Sequence, residues 1–242
     1  MNKDKSDQVF DYFDCHSRDL TPASARHGAD VLYAPCSHDP EVTKFCSSVL
    51  TDRELRRADR FVFETDKQRF IQRRAFRRFC AATMTNITLP LSQIVFEETV
   101  NGRPYLADLP DFWFSFSSSK LGLLGAQSST HAIGVDLEDK SGNLEITALA
   151  QHFFSKDEAS VIERLCKPDR LQFFLKFWCL KEAALKSIGE GLPFGMDVFQ
   201  FEMEPVLRII QTPPEYGKPE SFSAHIVEKS NIFAALVLRY ID

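Results

Sequence analysis

Long apolar runs are missing from this 242-residue chain. No stretch approaches the roughly eighteen apolar residues that a membrane-spanning helix needs, and none near the N-terminus resembles the core of a signal peptide. The six cysteines form no C-x-x-C pair, and the six histidines show no zinc-ligand spacing. These absences predict a cytoplasmic protein with reduced thiols and no membrane partner, and they argue against the disulfide-stapled and zinc-finger classes.

Charge is unevenly distributed along the chain. The formal net charge is −5, yet residues 53–78 hold ten lysines and arginines against four acidic residues, which leaves −11 for the remainder. A basic segment in an acidic protein indicates a specific anionic ligand more than general nucleic-acid binding. This segment could form a solvated helix face or a clamp for phosphate, and the pattern leaves both open. Six of its cations fall within twelve residues of predicted helix: Lys67, Arg69, Arg73, Arg74, Arg77 and Arg78.

The predicted elements follow the same order twice. Residues 51–54 and 155–158 both have the form of a capping box that opens a short helix. A longer helix follows each, over about residues 66–85 and, after a break at Pro168, over residues 169–187. Strand-like runs come next, at 94–96 and 112–117 in the first part and at 198–203, 206–210, 222–227 and 232–239 in the second.

The repeated order predicts an α+β fold of two similar halves. Asn101-Gly102 is a hairpin-turn signal within the first set of strands. We place the boundary near residue 130, which gives an N-terminal half over residues 1–130 and a C-terminal half over residues 131–242. A cleft between two such halves is a usual place for a ligand.

Two motifs about forty residues apart carry acidic side chains. Residues 133–138 alternate as a strand would, so Asp136 and Glu138 leave the same side. In the second motif Glu182 and Lys186 are one turn apart on a predicted helix. If strand and helix pack together, three carboxylates and a lysine converge in a group suited to a divalent cation beside a phosphate ester. The alternative is a solvated edge strand with an ordinary surface Glu–Lys pair.

In order and spacing, the motifs resemble those of the surfactin-type 4′-phosphopantetheinyl transferase superfamily over roughly residues 50–240. That family has a basic N-terminal segment, G-K-P, a serine–histidine loop, G-(I/V)-D-(I/L)-E and W-x-x-K-E-(A/S)-x-x-K-x-x-G-x-G-L. The last two motifs are specific as a pair, while the others are weak alone. The corresponding residues here are 102–104 (GRP), 115–119 (SFSSS), 134–138 (GVDLE) and 178–192.

The resemblance implies a pseudo-twofold fold of two α+β halves with the active site between them. It implies transfer of the phosphopantetheine arm of coenzyme A to a serine of an acyl or peptidyl carrier protein, with release of adenosine 3′,5′-bisphosphate. By motif position, Asp136, Glu138 and Glu182 would hold Mg²⁺, Glu182 would act as the base, and Lys186 would bind phosphate and stabilise the leaving group. The implied coenzyme A contacts are Arg57, Arg74, Arg103, Ser117, Ser118, Asp136 and Lys186.

Two residues depart from the family pattern. The usual histidine of the serine loop corresponds to Ser118, which cannot carry charge. We therefore expect weaker coenzyme binding unless Lys120 or an extra arginine of the basic helix compensates. The usual lysine of G-K-P is Arg103, which keeps the charge and changes the geometry.

The Ser118 departure leaves an alternative open, namely a weak or inactive relative that binds coenzyme A or carrier protein without turnover. A different phosphotransferase or a nucleic-acid-binding protein is a further alternative, although we expect no nucleic-acid partner. Two halves in one chain favour a monomer.

Overall fold

A computed structural model of the protein describes residues 5–22, 25, 28–85, 87–141 and 145–241. Within these residues the chain forms seven α-helices. They are α1 (Lys5–His16), α2 (Pro40–Ser47), α3 (Asp52–Ala58), α4 (Glu64–Thr85), α5 (Ile146–Phe153), α6 (Lys156–Arg164) and α7 (Lys167–Ser187). No helix in this described part of the chain is long and apolar enough to cross a membrane.

The same residues form eleven strands, all of which pair antiparallel. They are β1 (Arg18–Asp19), β2 (Asp30–Pro35), β3 (Glu97–Glu98), β4 (Pro104–Tyr105), β5 (Trp113–Ser118), β6 (Gly122–Ser128), β7 (His131–Asp139), β8 (Gln200–Glu202), β9 (Arg208–Gln211), β10 (Phe222–Glu228) and β11 (Ile232–Tyr240).

The strands form two larger sheets and two small hairpins. One sheet has the order β1-β2-β6-β5 and the other the order β10-β11-β7, while β3 pairs with β4 and β8 with β9. Mixed helices and antiparallel sheets confirm the α+β prediction. From β2 onward the order of a strand, three helices, a two-stranded hairpin and two more strands runs once to β6 and again from β7 to β11.

Both predicted capping boxes are present. Thr51 and Glu54 exchange side-chain and backbone hydrogen bonds at the start of α3, and Ser155 and Glu158 do the same at the start of α6. Each pair satisfies two amide groups that a helix start leaves without partners. The predicted break between the two helices is present, but α7 begins at Lys167, so Pro168 lies in its first turn, where its missing N–H costs nothing.

The segment between α4 and β5 differs from prediction at one strand and agrees with it at one turn. The strand expected at residues 94–96 is absent from this described segment, because Ile94 follows a short 3₁₀ turn and buries its side chain instead. Pairing begins only at β3. The hairpin turn is confirmed, since Gly102 takes a φ of 84° and its N–H donates to the Thr99 carbonyl at 2.9 Å.

Apolar side chains form three buried clusters. One packs α1, α2 and α4 against β5 and β6, and a second packs α5, α6 and α7 against β10 and β11. The third lies between the two sheets and includes Leu124 and Ala126 of β6 with Ile133 and Val135 of β7. Strand β7 therefore lies where the two sheets face each other.

Candidate active site

Strand β7 and helix α7 approach closely at Gly134. A Cβ atom at this position would lie 1.8 Å from the carbonyl oxygen of Ala183 and 2.5 Å from the amide nitrogen of Ser187. Both are backbone atoms of the helix, so only a residue without a side chain allows this contact. The approach places the last turns of α7 directly against the strand that carries Asp136.

Asp136 is the buried centre of the site, with its side chain 6% exposed. Its Oδ1 accepts hydrogen bonds from Lys186 Nζ at 2.7 Å and from Ser117 Oγ at 2.8 Å. Lys186 also donates to the carbonyl oxygen of Val135 at 3.2 Å. The other oxygen, Asp136 Oδ2, is buried and finds no hydrogen-bond partner among the described residues. Strand β7, helix α7 and the end of β5 thus meet at the carboxylate of Asp136.

Glu138 and Glu182 add two further carboxyl groups. Burial raises the pKa of Glu138 to about 8, with the charge of Asp136 as the next contribution. Burial also raises the pKa of Glu182, which Lys186 opposes and Asp136 reinforces. Burial alone would lower the pKa of Lys186, but Asp136 and Glu182 outweigh it and the net change is upward. Carboxyl groups therefore outnumber ammonium groups at this site, and Lys186 keeps its proton.

The donor set fits a hard divalent cation. All the candidate ligand atoms are carboxylate oxygens, which Mg²⁺ prefers, and the unpartnered Asp136 Oδ2 lies in a setting short of positive charge. With the side chains as placed, the described residues contain no group of three or more His, Cys, Asp or Glu gathered as a finished metal site. Because Lys186 already holds Asp136 Oδ1, Oδ2 is the oxygen left for a cation.

Arg57 and Arg74 lie apart from these carboxylates, in a cleft of about 1060 Å³ between α3, the middle of α4 and the β3 region. Arg57 is exposed, with its guanidinium 5.6 Å from the centre of the Phe70 ring. Arg74 is buried, and its nearest contact with Glu98 Oε1 is 3.4 Å. The cleft is rich in arginine and open to solvent, which suits an anionic ligand.

Arg103 takes a third position, beside the end of α7. Its guanidinium stacks on the Trp113 ring at 4.0 Å from the ring centre. A Cβ built on Gly189, just beyond α7, would lie 3.8 Å from Arg103 Cδ. The neighbouring Asn101 Nδ2 donates to Glu190 Oε1 at 3.0 Å, which ties the β3–β4 hairpin to this segment.

The two serines at the end of β5 face opposite ways, as alternation along a strand requires. Ser117 contacts Asp136, whereas Ser118 Oγ lies 3.5 Å from Arg73 Nη1 of α4. The structure therefore joins Asp136, Lys186 and Ser117 in one group and places Ser118 with the arginines of α4. Glu138 and Glu182 interact electrostatically with Asp136 and Lys186 of the first group.

Sequence reasoning missed the role of Lys181, the lysine that precedes Glu182. It is fully buried, and its Nζ pairs with Glu158 Oε2 at 2.8 Å. The same ammonium donates to the carbonyl oxygens of Met196 and Phe199. Lys181 is thus a structural residue that ties α6, α7 and the segment before β8 together, although it adjoins the carboxylate group.

Two family models match the chain. A model described as the 4′-phosphopantetheinyl transferase superfamily matches residues 132–237, and one described as the N-terminal part of 4′-phosphopantetheinyl transferase matches residues 35–130. Together the two matched ranges take in β7 and α7 as well as the arginine-bearing α4.

Curated relatives agree with the family models. The 4′-phosphopantetheinyl transferase psf-1 of Bacillus pumilus is 34% identical over 59% of this chain and 59% of its own length. The 4′-phosphopantetheinyl transferase HetI of a Nostoc species is 28% identical over 79% of both chains, and the 4′-phosphopantetheinyl transferase Sfp of Bacillus subtilis is 35% identical over 48% of this chain and 50% of its own. The match to psf-1 thus spans less than two thirds of that relative.

The protein thus combines an α+β fold, a buried carboxylate–lysine group and, apart from that group, an arginine-rich cleft. The chain belongs to the 4′-phosphopantetheinyl transferase superfamily.

Proposed function

We propose that this chain transfers the 4′-phosphopantetheine arm of coenzyme A to a serine hydroxyl of an acyl or peptidyl carrier protein and releases adenosine 3′,5′-bisphosphate. The observation that carries the proposal is the Ser117–Asp136–Lys186 group, flanked by Glu138 and Glu182 at the motif positions of the family. Relatives named as 4′-phosphopantetheinyl transferases support it.

Glu182 is the proposed general base. In the reaction the acceptor serine oxygen bonds to the phosphorus next to the pantetheine arm, and the bond from that phosphorus to the bridging pyrophosphate oxygen breaks. The hydroxyl proton passes to the Glu182 carboxylate. The half-buried Lys186 ammonium stabilises the charge that develops on the leaving phosphate.

Asp136, Glu138 and Glu182 are the proposed ligands of Mg²⁺. The unpartnered Asp136 Oδ2 and the raised pKa of Glu138 support this assignment, because a nearby cation would relieve both. When bound, a divalent cation neutralises phosphate oxygens and so favours nucleophilic attack. The contact of β7 with α7 would hold the three carboxylate ligands of that cation in place.

Arg57, Arg74, Arg103, Ser117 and Ser118 complete the proposed coenzyme A site. Arg57 and Arg74 share one cleft, and Arg103 adjoins the end of α7. The other two, Ser117 and Ser118, end β5, which lies between the carboxylate group and the α4 arginines.

We further propose two similar halves, residues 1–130 and 131–242, related by a pseudo-twofold axis. The repeated element order supports this division. The packing of β7, the end strand of one sheet, against the other sheet supports an active site near the boundary. One chain supplies all the carboxylates and arginines of the proposed site, so we propose that the protein acts as a monomer. All six cysteines are free thiols, which fits a cytoplasmic protein.

Intact mass spectrometry tests the function directly. A purified apo carrier protein is incubated with this chain, coenzyme A and Mg²⁺, beside an EDTA control and a Glu182→Gln variant. We expect a mass gain of one phosphopantetheine arm that is lost with EDTA and with the variant. No gain with several unrelated carriers would refute transfer, whereas full activity of Glu182→Gln would refute its assignment as the base.

A further inference from the structure

The Arg103 guanidinium lies over the face of the Trp113 ring. Its central carbon is 4.0 Å from the ring centre, which is the shortest cation–ring distance in the described part of the chain. At that distance the cation meets the negative face of the indole, which is the geometry of a cation–π contact. Among the described residues no carboxylate forms an ion pair with Arg103, so the ring holds this guanidinium without neutralising it.

The sheets hold the Trp113 ring in place. Trp113 opens β5, and its ring packs against the apolar cluster between the two sheets. Side chains alternate along a strand, so Trp113 shares its face of β5 with Ser115 and Ser117. The Ser115 hydroxyl accepts from the Val135 amide at 3.0 Å, and the Ser117 hydroxyl donates to Asp136. The ring therefore lies about 14 Å along the strand from Ser117, on the face of β5 that turns toward β7.

The backbone of Arg103 is fixed as well. Its N–H donates to Thr99 Oγ1 at 3.1 Å, and its carbonyl oxygen accepts from the Thr99 N–H at 2.9 Å. The hairpin that carries it is tied at its tip to the segment after α7. The side-chain torsions of Arg103 are therefore the freedom that remains, and the contact with Trp113 restricts them.

An arginine at this position gains from the aromatic surface. A guanidinium that lies over a ring keeps N–H donors at its edge, where they can reach acceptor oxygens, whereas a lysine ammonium is a mobile point charge. A side chain that is ordered before its ligand arrives does not lose that freedom on binding, which is worth about two- to twelvefold in affinity. Trp113 is thus the natural partner of an arginine, rather than a lysine, at residue 103.

We infer that Trp113 is a positioning residue for coenzyme A binding, because it holds the Arg103 guanidinium in its ligand-binding orientation before the coenzyme arrives. Trp113 acts through Arg103 and needs no contact with the coenzyme itself. The inference rests on the proposed function for its ligand, since that function assigns Arg103 to the coenzyme A site.

A double-mutant cycle tests the coupling of the two residues. Isothermal titration calorimetry measures the affinity of coenzyme A for wild type, Trp113→Leu, Arg103→Gln and the double variant. We expect Trp113→Leu to weaken binding about fivefold on its own, and by less than about twofold in the Arg103→Gln background. Trp113→Phe keeps an aromatic face under the guanidinium and should stay within about twofold of wild type.

Two further readouts separate positioning from folding. Phe112→Leu is the matched control, because Phe112 is the neighbouring half-buried aromatic residue but packs against the cluster that includes α4. It should bind coenzyme A within about twofold of wild type, even where it lowers the melting temperature as much as Trp113→Leu. In the carrier-loading assay Trp113→Leu should raise the KM for coenzyme A about fivefold and change kcat by less than about twofold, since Asp136 and Lys186 are untouched.

An equal loss of affinity from Trp113→Leu in both backgrounds would mean that Trp113 does not act through Arg103, and would overturn the inference. Wild-type affinity in Trp113→Leu, or a loss in Trp113→Phe as large as in Trp113→Leu, would overturn it too. A wild type that binds coenzyme A and shows the expected coupling, yet transfers nothing to a carrier protein, would overturn the proposed function and leave the role of Trp113 standing.

Discussion

Replacing Gly134 with alanine should reduce the rate of catalysis strongly while leaving the protein folded. The new methyl group would lie 1.8 Å from the Ala183 carbonyl oxygen, so α7 would have to retreat from β7 by about 1.6 Å to reach an ordinary contact of 3.4 Å. Overpacking of this kind costs about 1–3 kcal/mol, which a domain of this size can survive. The retreat would also carry Glu182 and Lys186 away from Asp136, and a displacement near 1 Å can cost about 100-fold in rate.

Urea unfolding and the carrier-loading assay measure the two effects side by side. Gly191→Ala is the matched control for stability, because a Cβ there meets only Pro193 Cδ, at 3.8 Å. We expect its free energy of unfolding to stay within about 0.5 kcal/mol of wild type. A Gly134→Ala protein with wild-type stability and wild-type activity would refute the idea that this contact positions the site.

Two further substitutions test the buried ion pairs. Glu54→Gln keeps the capping box but removes the charge that pairs with Arg78, so at pH 7 it should lower the free energy of unfolding by about 3 kcal/mol in urea titrations. Burial would raise the pKa of Glu54, but Arg78 outweighs burial and the pKa falls below its ordinary 4.5. The loss of unfolding free energy in Glu54→Gln should therefore be complete above pH 4.5 and shrink as the pH falls through the lowered pKa. A loss of stability that does not change with pH would contradict this assignment. Lys181→Met should leave Glu158 buried without its cation and cost about 3–5 kcal/mol, while Lys181→Met with Glu158→Gln should cost less than Lys181→Met alone. A double-variant loss equal to the sum of the two single losses would show that the pair is not coupled.

Local signals predicted the parts of the fold that local interactions stabilise. The two capping boxes and the Asn101-Gly102 turn satisfy their own backbone groups within a few residues, so their sequences suffice. The alternation around Asp136 is also local. The contact between Asp136 and Lys186 could be predicted only on the condition that strand and helix pack together. That packing depends on the close approach of α7 to Gly134, which sequence alone does not determine.

Tertiary packing decided the residues where prediction failed. Residues 94–96 have strand-forming side chains, but Ile94 fills the core beside α4 and no partner strand pairs with this segment among the described residues. Helix α1 lies in the first fifty residues, which carried no motif, yet its Val9 and Phe13 are fully buried against α4. Their one-turn spacing was a usable signal, although a single apolar pair is weak.

The two long helices show why motif position alone does not separate structural cations from ligand-binding ones. In each repeat the capping-box glutamate of the short helix pairs with a buried cation on the long helix, Glu54 with Arg78 and Glu158 with Lys181. Each structural cation is therefore already neutralised inside the protein. Among the cations that this pairing omits are Lys186 on α7, which pairs with Asp136, and Arg73, Arg74 and Arg77 on α4.

These remaining charges also explain the polarity of the proposed site. Around the end of α7, three carboxylates outnumber the single ammonium of Lys186, which favours a bound cation, whereas around α4 guanidinium groups outnumber carboxylates, which favours a bound anion. A ligand that carries a metal-binding pyrophosphate at one position and a phosphomonoester at another matches both regions. The charge distribution therefore fits the proposed pairing of a metal ion at α7 with a phosphate-bearing ligand that reaches α4.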